Sequence, residues 1–180
     1  YRVHTLWLEG HRSLNLFKLP THAKSPRIVN AVIEIEKGSS VKYEYDGELG
    51  VFCYDRSLDS AMVYPANYGS IPGTLCDDGD PLDVLILTER PIDKGTVVEC
   101  RPLGVLDMDD DGAKDYKVIA VPTSTRKRFR NLADVDDLFL RISKNFFAHY
   151  KDLDNKVVEV HKWPDKEEAF SIITSSIVPL

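Results

Sequence analysis

The chain has 180 residues, 43% of them hydrophobic, and a formal net charge of −6. A chain of this size folds most simply as one domain and buries roughly 70% of its unfolded surface, and its hydrophobic content argues against disorder. The negative balance gives no general attraction to nucleic acid or anionic membrane, and no apolar run is long enough to span a bilayer.

Residues 1–27 mix His, Arg, Pro and Leu without a period and read as an irregular lead-in to a single domain over 1–180. The chain opens at Tyr1 rather than Met, which keeps an upstream targeting peptide or domain open. Strand-like runs rich in Val, Ile, Tyr and Leu follow at 28–36, 41–46, 49–54, 82–87, 96–106 and 116–121, with turn residues between them. Asp46-Gly47 predicts a tight hairpin. Such a series predicts a barrel or sandwich. The period then changes. Val135, Leu138, Phe139, Ile142 and Phe146 recur at helical spacing, with Asn131 or Asp134 as the candidate cap. Residues 156–163 form one more strand pattern, and Asp165 with Glu168 marks the start of a last helix over 165–177.

Cys53, Cys76 and Cys100 are too few and too scattered for a disulfide framework or a zinc knuckle, and the five His show no HExxH pattern. Reduced thiols point weakly to a reducing compartment. The chemistry lies in the carboxylates. In "CDDGDPLDVLIL" four aspartates crowd the entrance of a buried strand, and Asp83 stands within the apolar run. Asp77 reads as a solvated turn residue. Asp78, Asp80 and Asp83 converge on a strand mouth, and a half-buried carboxylate there needs a cationic partner. A second cluster, "DMDDDGAKD", matches an EF-hand at Asp107, Asp109, Asp111 and Gly112. It has Val118 where the loop requires Glu, and a strand pattern follows instead of a helix. A plain acidic hairpin is the simpler reading of that cluster alone. Together the two clusters suit hard cations such as Mg²⁺ or Mn²⁺.

Lys42 and Glu44 share one side of their strand, and "YPANYG" places Tyr64 and Tyr68 near a turn. Arg56, Lys117 and Lys151 taken singly read as surface charges. "DGDPLD" resembles the signature of the soluble family I inorganic pyrophosphatases. "VKYEYD", "YPANYG", "RPLGVLDMDDDGAKDYK" and "FFAHYKDLD" follow in the family's order, and "HYKDL" is closer to its bacterial and plant branch. The resemblance covers roughly residues 28–163. It implies a mainly β fold, an OB-like five-stranded barrel with two helices in the C-terminal region. It implies hydrolysis of inorganic pyrophosphate with several Mg²⁺ (or Mn²⁺) per site. By the same resemblance Asp78, Asp83 and Asp115 hold two central metals, with Asp83 bridging. Asp110 and Asp115 take a further metal, while Glu34 and Glu44 line the site. Lys42, Arg56, Lys117, Tyr150 and Lys151 grip phosphate, Tyr64 and Tyr68 complete the cavity, and Asp80 is the general base. The branch implies a hexamer and a cytoplasmic home, with an organellar one as the alternative.

Three positions depart from the family pattern. The first 27 residues do not match its usual start, the Glu34–Lys42 loop is one residue short, and Asp111 replaces a frequent Glu. Two other classes compete: a calcium-binding protein, raised by Asp107–Gly112, and an OB-type nucleic-acid binder, raised by the barrel and by "TRKRFRN" at 125–131. The Val118 mismatch weakens the first, and acidic strand mouths repel a nucleic-acid backbone. No GxxxxGK[ST] is present, which disfavours a P-loop hydrolase.

Overall fold

The computed structural model describes residues 15–126, 129–154 and 156–178. Nine strands are described: β1 (Val29–Ile35), β2 (Val41–Asp46), β3 (Val51–Ser57), β4 (Asn67–Ser70), β5 (Asp83–Ile86), β6 (Val97–Asp110), β7 (Ala113–Lys114), β8 (Lys117–Pro122) and β9 (Val158–Lys162). Helices α1 (Asp137–His149) and α2 (Lys166–Ser176) complete the set. Five strands close on themselves in the order β1-β4-β5-β8-β6, because β1 also pairs with β6 through Val29–Val32. This closed ring is the expected five-stranded OB-like barrel, and closure leaves its members no free edge. All its pairings are antiparallel except β5 with β8. The hairpin β2–β3 stands apart, and β7 and β9 flank the far end of the long β6.

The period of two along each strand explains why two cores form. Val84 and Ile86 on β5 and Val118 and Ala120 on β8 face one cluster, which Ala169 and Ile173 of α2 cover. Leu85 and Ile119 face the other way and meet Phe146 and Phe147 of α1 and Tyr150 just after it. Asp83 and Lys117 share the parity of Leu85 and Ile119, so the same alternation that builds the α1 core carries these charges toward it.

Several boundaries differ from expectation. β4 begins within "YPANYG", a stretch placed near a turn because Gly and Asn are poor strand formers, and ends one residue beyond it at Ser70. Gly69 is required there, since a Cβ would lie 1.8 Å from the Val32 carbonyl oxygen. The 46–50 turn is longer than a two-residue hairpin, with the Asp46 carboxylate accepting from the Glu48 and Leu49 amides at 2.8 Å. Asp136 caps α1, while Asn131 caps a single 3-10 turn before it. Asp165 caps α2 as expected, accepting from the Glu167 and Glu168 amides. Of the expected lead-in, residues 1–14 lie outside the described residues. Asn15 and Phe17 are docked: Asn15 donates to the Gly47 carbonyl at 2.8 Å, and Phe17 packs edge-on against Tyr45.

Candidate active site

A cavity of about 220 Å³ opens between the barrel, the β2–β3 hairpin and α1. Each wall is set by local structure. β1 supplies Glu34, β2 supplies Lys42 and Glu44, and the turn before β5 supplies Asp78 and Asp80. Asp83 opens β5, Asp110 closes β6, Asp115 follows β7, and Lys117 opens β8. Tyr64, Tyr68, Tyr150 and Lys151 also line it. All the expected site residues therefore line one cavity except Arg56. Arg56 is the cross-strand neighbour of Lys42, and its guanidinium lies 2.8 Å from Asp55 and 3.7 Å from Asp154.

Lys117 is one cationic partner of Asp83. Parallel pairing sets the two residues side by side, and the ammonium lies 2.5 Å from Asp83 and also contacts Asp115. Burial opposes the charge on Lys117, but Asp83 and Asp115 outweigh it and hold the side chain above the ordinary lysine range. Lys151 pairs with Asp110 in the same way. Lys42 stands 2.5 Å from Glu44 and 3.1 Å from Asp55.

These lysines do not balance the site. Seven carboxylates line the cavity against three lysines. The shortfall is visible in the acids themselves. Burial, then Asp83, pushes the Glu34 carboxyl up to about 8, although Ser70 donates to it at 3.2 Å. Burial and the neighbouring Asp78 and Asp83 raise Asp80. Burial raises Asp115, with Asp83 adding and Lys117 opposing. Asp110 Oδ1 is buried and finds no hydrogen-bond partner among the described residues. An orphaned carboxylate oxygen in an over-acidic cavity fits divalent cations with oxygen ligands. Burial keeps the hydroxyls of Tyr64, Tyr68 and Tyr150 protonated, so they remain donors toward an anion.

Asp78, Asp83 and Asp115 do not close on one point, since Lys117 stands between Asp83 and Asp115. Among the described residues the group whose ligand atoms all lie within 4.8 Å is Asp107, Asp109 and His161, and there the Lys114 ammonium lies 2.8–2.9 Å from both carboxylates. The "DMDDDGAKD" stretch is the β6–β7 hairpin, not a helix-flanked calcium loop. Sequence reasoning missed Phe17, Tyr45, Ser70 and Phe147 in the lining. Ser70 could have been found as the residue following "YPANYG". Phe17 carries no local signal.

Fold and site together define a class: barrel proteins whose acidic, lysine-ringed cavity suits a small anion brought in with divalent cations. The comparisons narrow it. The family model described as inorganic pyrophosphatase matches residues 31–179, and the chain belongs to that family. Similar curated proteins include the inorganic pyrophosphatase of Sulfolobus acidocaldarius, 45% identical over 166 residues, 89% of this chain and 95% of that protein. Another is that of Saccharolobus solfataricus, 47% identical over 165 residues, 89% and 96%. The crystal structure of the Thermus thermophilus inorganic pyrophosphatase superposes with a TM-score of 0.88 at 40% identity, covering 91% of this chain and 97% of that one. Among the described residues no helix is long and apolar enough to cross a membrane.

Proposed function

We propose that the protein hydrolyses inorganic pyrophosphate to two orthophosphates by direct attack of water, as a metal-dependent inorganic diphosphatase. The observation that carries this reading is the excess of carboxylates over lysines around the buried, unpartnered Asp110 oxygen. Pyrophosphate is small, highly charged and without an apolar handle, so its binding must come from cations. Divalent cations, Mg²⁺ in our reading and Mn²⁺ as a substitute, supply that charge when bound and lower the pKa of a coordinated water. Asp78, Asp83 and Asp115 would hold the central ions, Asp110 and Asp115 a further one, and Glu34 and Glu44 would line them.

The chain's own groups do the rest. Asp80 receives the proton of the attacking water, and its raised carboxyl suits a base better than an ordinary aspartate. Lys42, Arg56, Lys117, Tyr150 and Lys151 take phosphate oxygens and stabilise the charge that develops on the leaving group. Lys117 and Lys151 would exchange part of their present contact with carboxylates for contact with phosphate. Tyr64 and Tyr68 wall the cavity. No covalent phospho-enzyme is needed. A single domain carrying the activity, a hexameric assembly and a cytoplasmic home complete the proposal. Leu138 and Ile142, half-exposed on α1, offer apolar surface for assembly, and the three free cysteines suit a reducing compartment.

The test is phosphate release from pyrophosphate with Mg²⁺, repeated in excess chelator. Hydrolysis should require the metal, and full activity in chelator would sink the reading. Light scattering of the purified protein tests the hexamer.

A further inference from the structure

The face of the β6–β7 hairpin turned away from the cavity carries a second set of charges. Met108 is buried in the α1 core and Asp110 lines the cavity, so Asp107 and Asp109 project from the opposite face of β6. Asp107 is only 9% exposed. Lys114, the β7 partner of Asp109, sends its ammonium to 2.8 Å from Asp107 Oδ1 and 2.9 Å from Asp109 Oδ1. On the other flank a bulge falls in the pairing of β6 with β9. Asp107 pairs with Lys162 and Met108 with Val160, which leaves His161 as the extra residue. Bulges re-aim side chains, and here His161 Nε2 lies 2.8 Å from Asp109 Oδ2. Three strands are thus tied by one polar clasp, in which Asp109 meets both His161 and Lys114 and the Lys114 ammonium reaches Asp107 as well.

The position of the clasp in the chain gives it a consequence. Asp109 immediately precedes Asp110, and Lys114 immediately precedes Asp115. The clasp joins the residues behind two candidate metal ligands, and the Asp115 amide donates to the Met108 carbonyl at 2.9 Å alongside it. An exposed lysine–carboxylate pair contributes little to stability. Lys114 is itself exposed, but its ammonium bridges two carboxylates, the nearly buried Asp107 and its neighbour Asp109, and outer contacts of this kind orient metal ligands. We propose that Lys114 is a positioning residue: its clasp on Asp107 and Asp109 holds Asp110 and Asp115 at the spacing that divalent cations require. This rests on the reading of Asp110 and Asp115 as metal ligands.

The test is Mn²⁺ binding, followed by the electron paramagnetic resonance of the free ion and independent of turnover. The triple variant Lys114→Met/Asp107→Asn/Asp109→Asn removes the ammonium together with both carboxylates that it contacts. It should bind Mn²⁺ about 10-fold or more weakly, as loss of outer-shell support commonly does. Lys114→Arg, which can still reach both carboxylates, should bind as the unmodified protein does. Asp115→Asn is the control for the site. If Asp115→Asn weakens binding and the triple variant does not, the positioning role is wrong and the site stands. If neither weakens it, the metal assignment fails and takes the positioning role with it. Should the triple variant not fold by circular dichroism, Lys114→Met alone is assayed for the Mg²⁺ concentration giving half-maximal hydrolysis. That concentration should rise about 10-fold while the KM for pyrophosphate at saturating Mg²⁺ holds. An unchanged Mg²⁺ dependence overturns the proposal.

Discussion

Two of the raised carboxyls at the cavity, Asp80 and Glu34, should behave differently when altered. Asp80 sits on an exposed turn, its amide 3.0 Å from Asp78 Oδ1 and with Gly79 beside it at φ +91°. Asp80→Asn should keep the fold and lower turnover about 10²–10⁴-fold, the usual contribution of a general base. Stopped-flow phosphate release at saturating Mg²⁺ checks this, and near-normal turnover at every pH would remove Asp80 from that role. Glu34 is buried, and burial with the nearby Asp83 pushes its carboxyl from the ordinary 4.5 up to about 8. Its folded-state pKa is raised, so the native state holds the proton more tightly than the unfolded chain. The resulting stability is complete below about 4.5 and is lost as pH rises through about 8. Thermal melts in chelator should therefore show Tm falling from pH 5 to pH 8.5, and Glu34→Gln should flatten that fall. An equal slope in both proteins would reject the assignment.

At the scale of elements, the site depends on how closely β4 approaches β1. Gly69 has no room for a methyl group, because the obstacle is the Val32 carbonyl of the paired strand and not a movable side chain. Gly69→Ala should cost about 3 kcal/mol or more, at the upper end of overpacking. Activity should fall with it, since Tyr68 and Ser70 flank the same position. Gly79→Ala makes the contrast. No atom lies within 4 Å of its Cβ position, so only the positive φ opposes the change, at about 1 kcal/mol. Urea denaturation of the two variants measures the difference. Similar losses would show that β4 can retreat from β1. α1 is held by a different force: Phe146 packs against Tyr64, Phe147 against Tyr68, and the C-cap Tyr150 stacks on Phe146. The helix that completes the cavity is thus anchored by the aromatic residues of the cavity wall.

For the whole molecule, the carboxylate excess makes the folded chain without cations a self-repelling arrangement at the cavity. Ions that bind the folded but not the unfolded state stabilise by mass action, about 2.7 kcal/mol at one hundred times Kd. Mg²⁺ should accordingly raise Tm in a concentration-dependent way, chelator should reverse it, and Asp110→Asn should blunt it. Calorimetry with Mg²⁺ titrated into chelated protein measures this. A Tm insensitive to Mg²⁺ would mean that the lysines already complete the charge balance.

The strand patterns of β1, β5, β8 and β9 and the final helix were legible from local signals, because alternation and caps act within a few residues. The acidic clusters, and the need of Asp83 for a cation, were equally legible, since an unpaired charge in an apolar run is costly anywhere. Motif order named the remaining site residues, and all but Arg56 among them line one cavity. Tertiary structure alone decided the rest. β4 forms from a turn-like segment because the closed ring supplies hydrogen-bond partners on both sides. Phe17 reaches the cavity from the irregular lead-in through its contact with Tyr45. Lys117 meets Asp83 because a parallel pairing sets them side by side, 34 residues apart in the chain. Local propensity cannot encode such a meeting. It is made by strand register, which only the completed barrel determines.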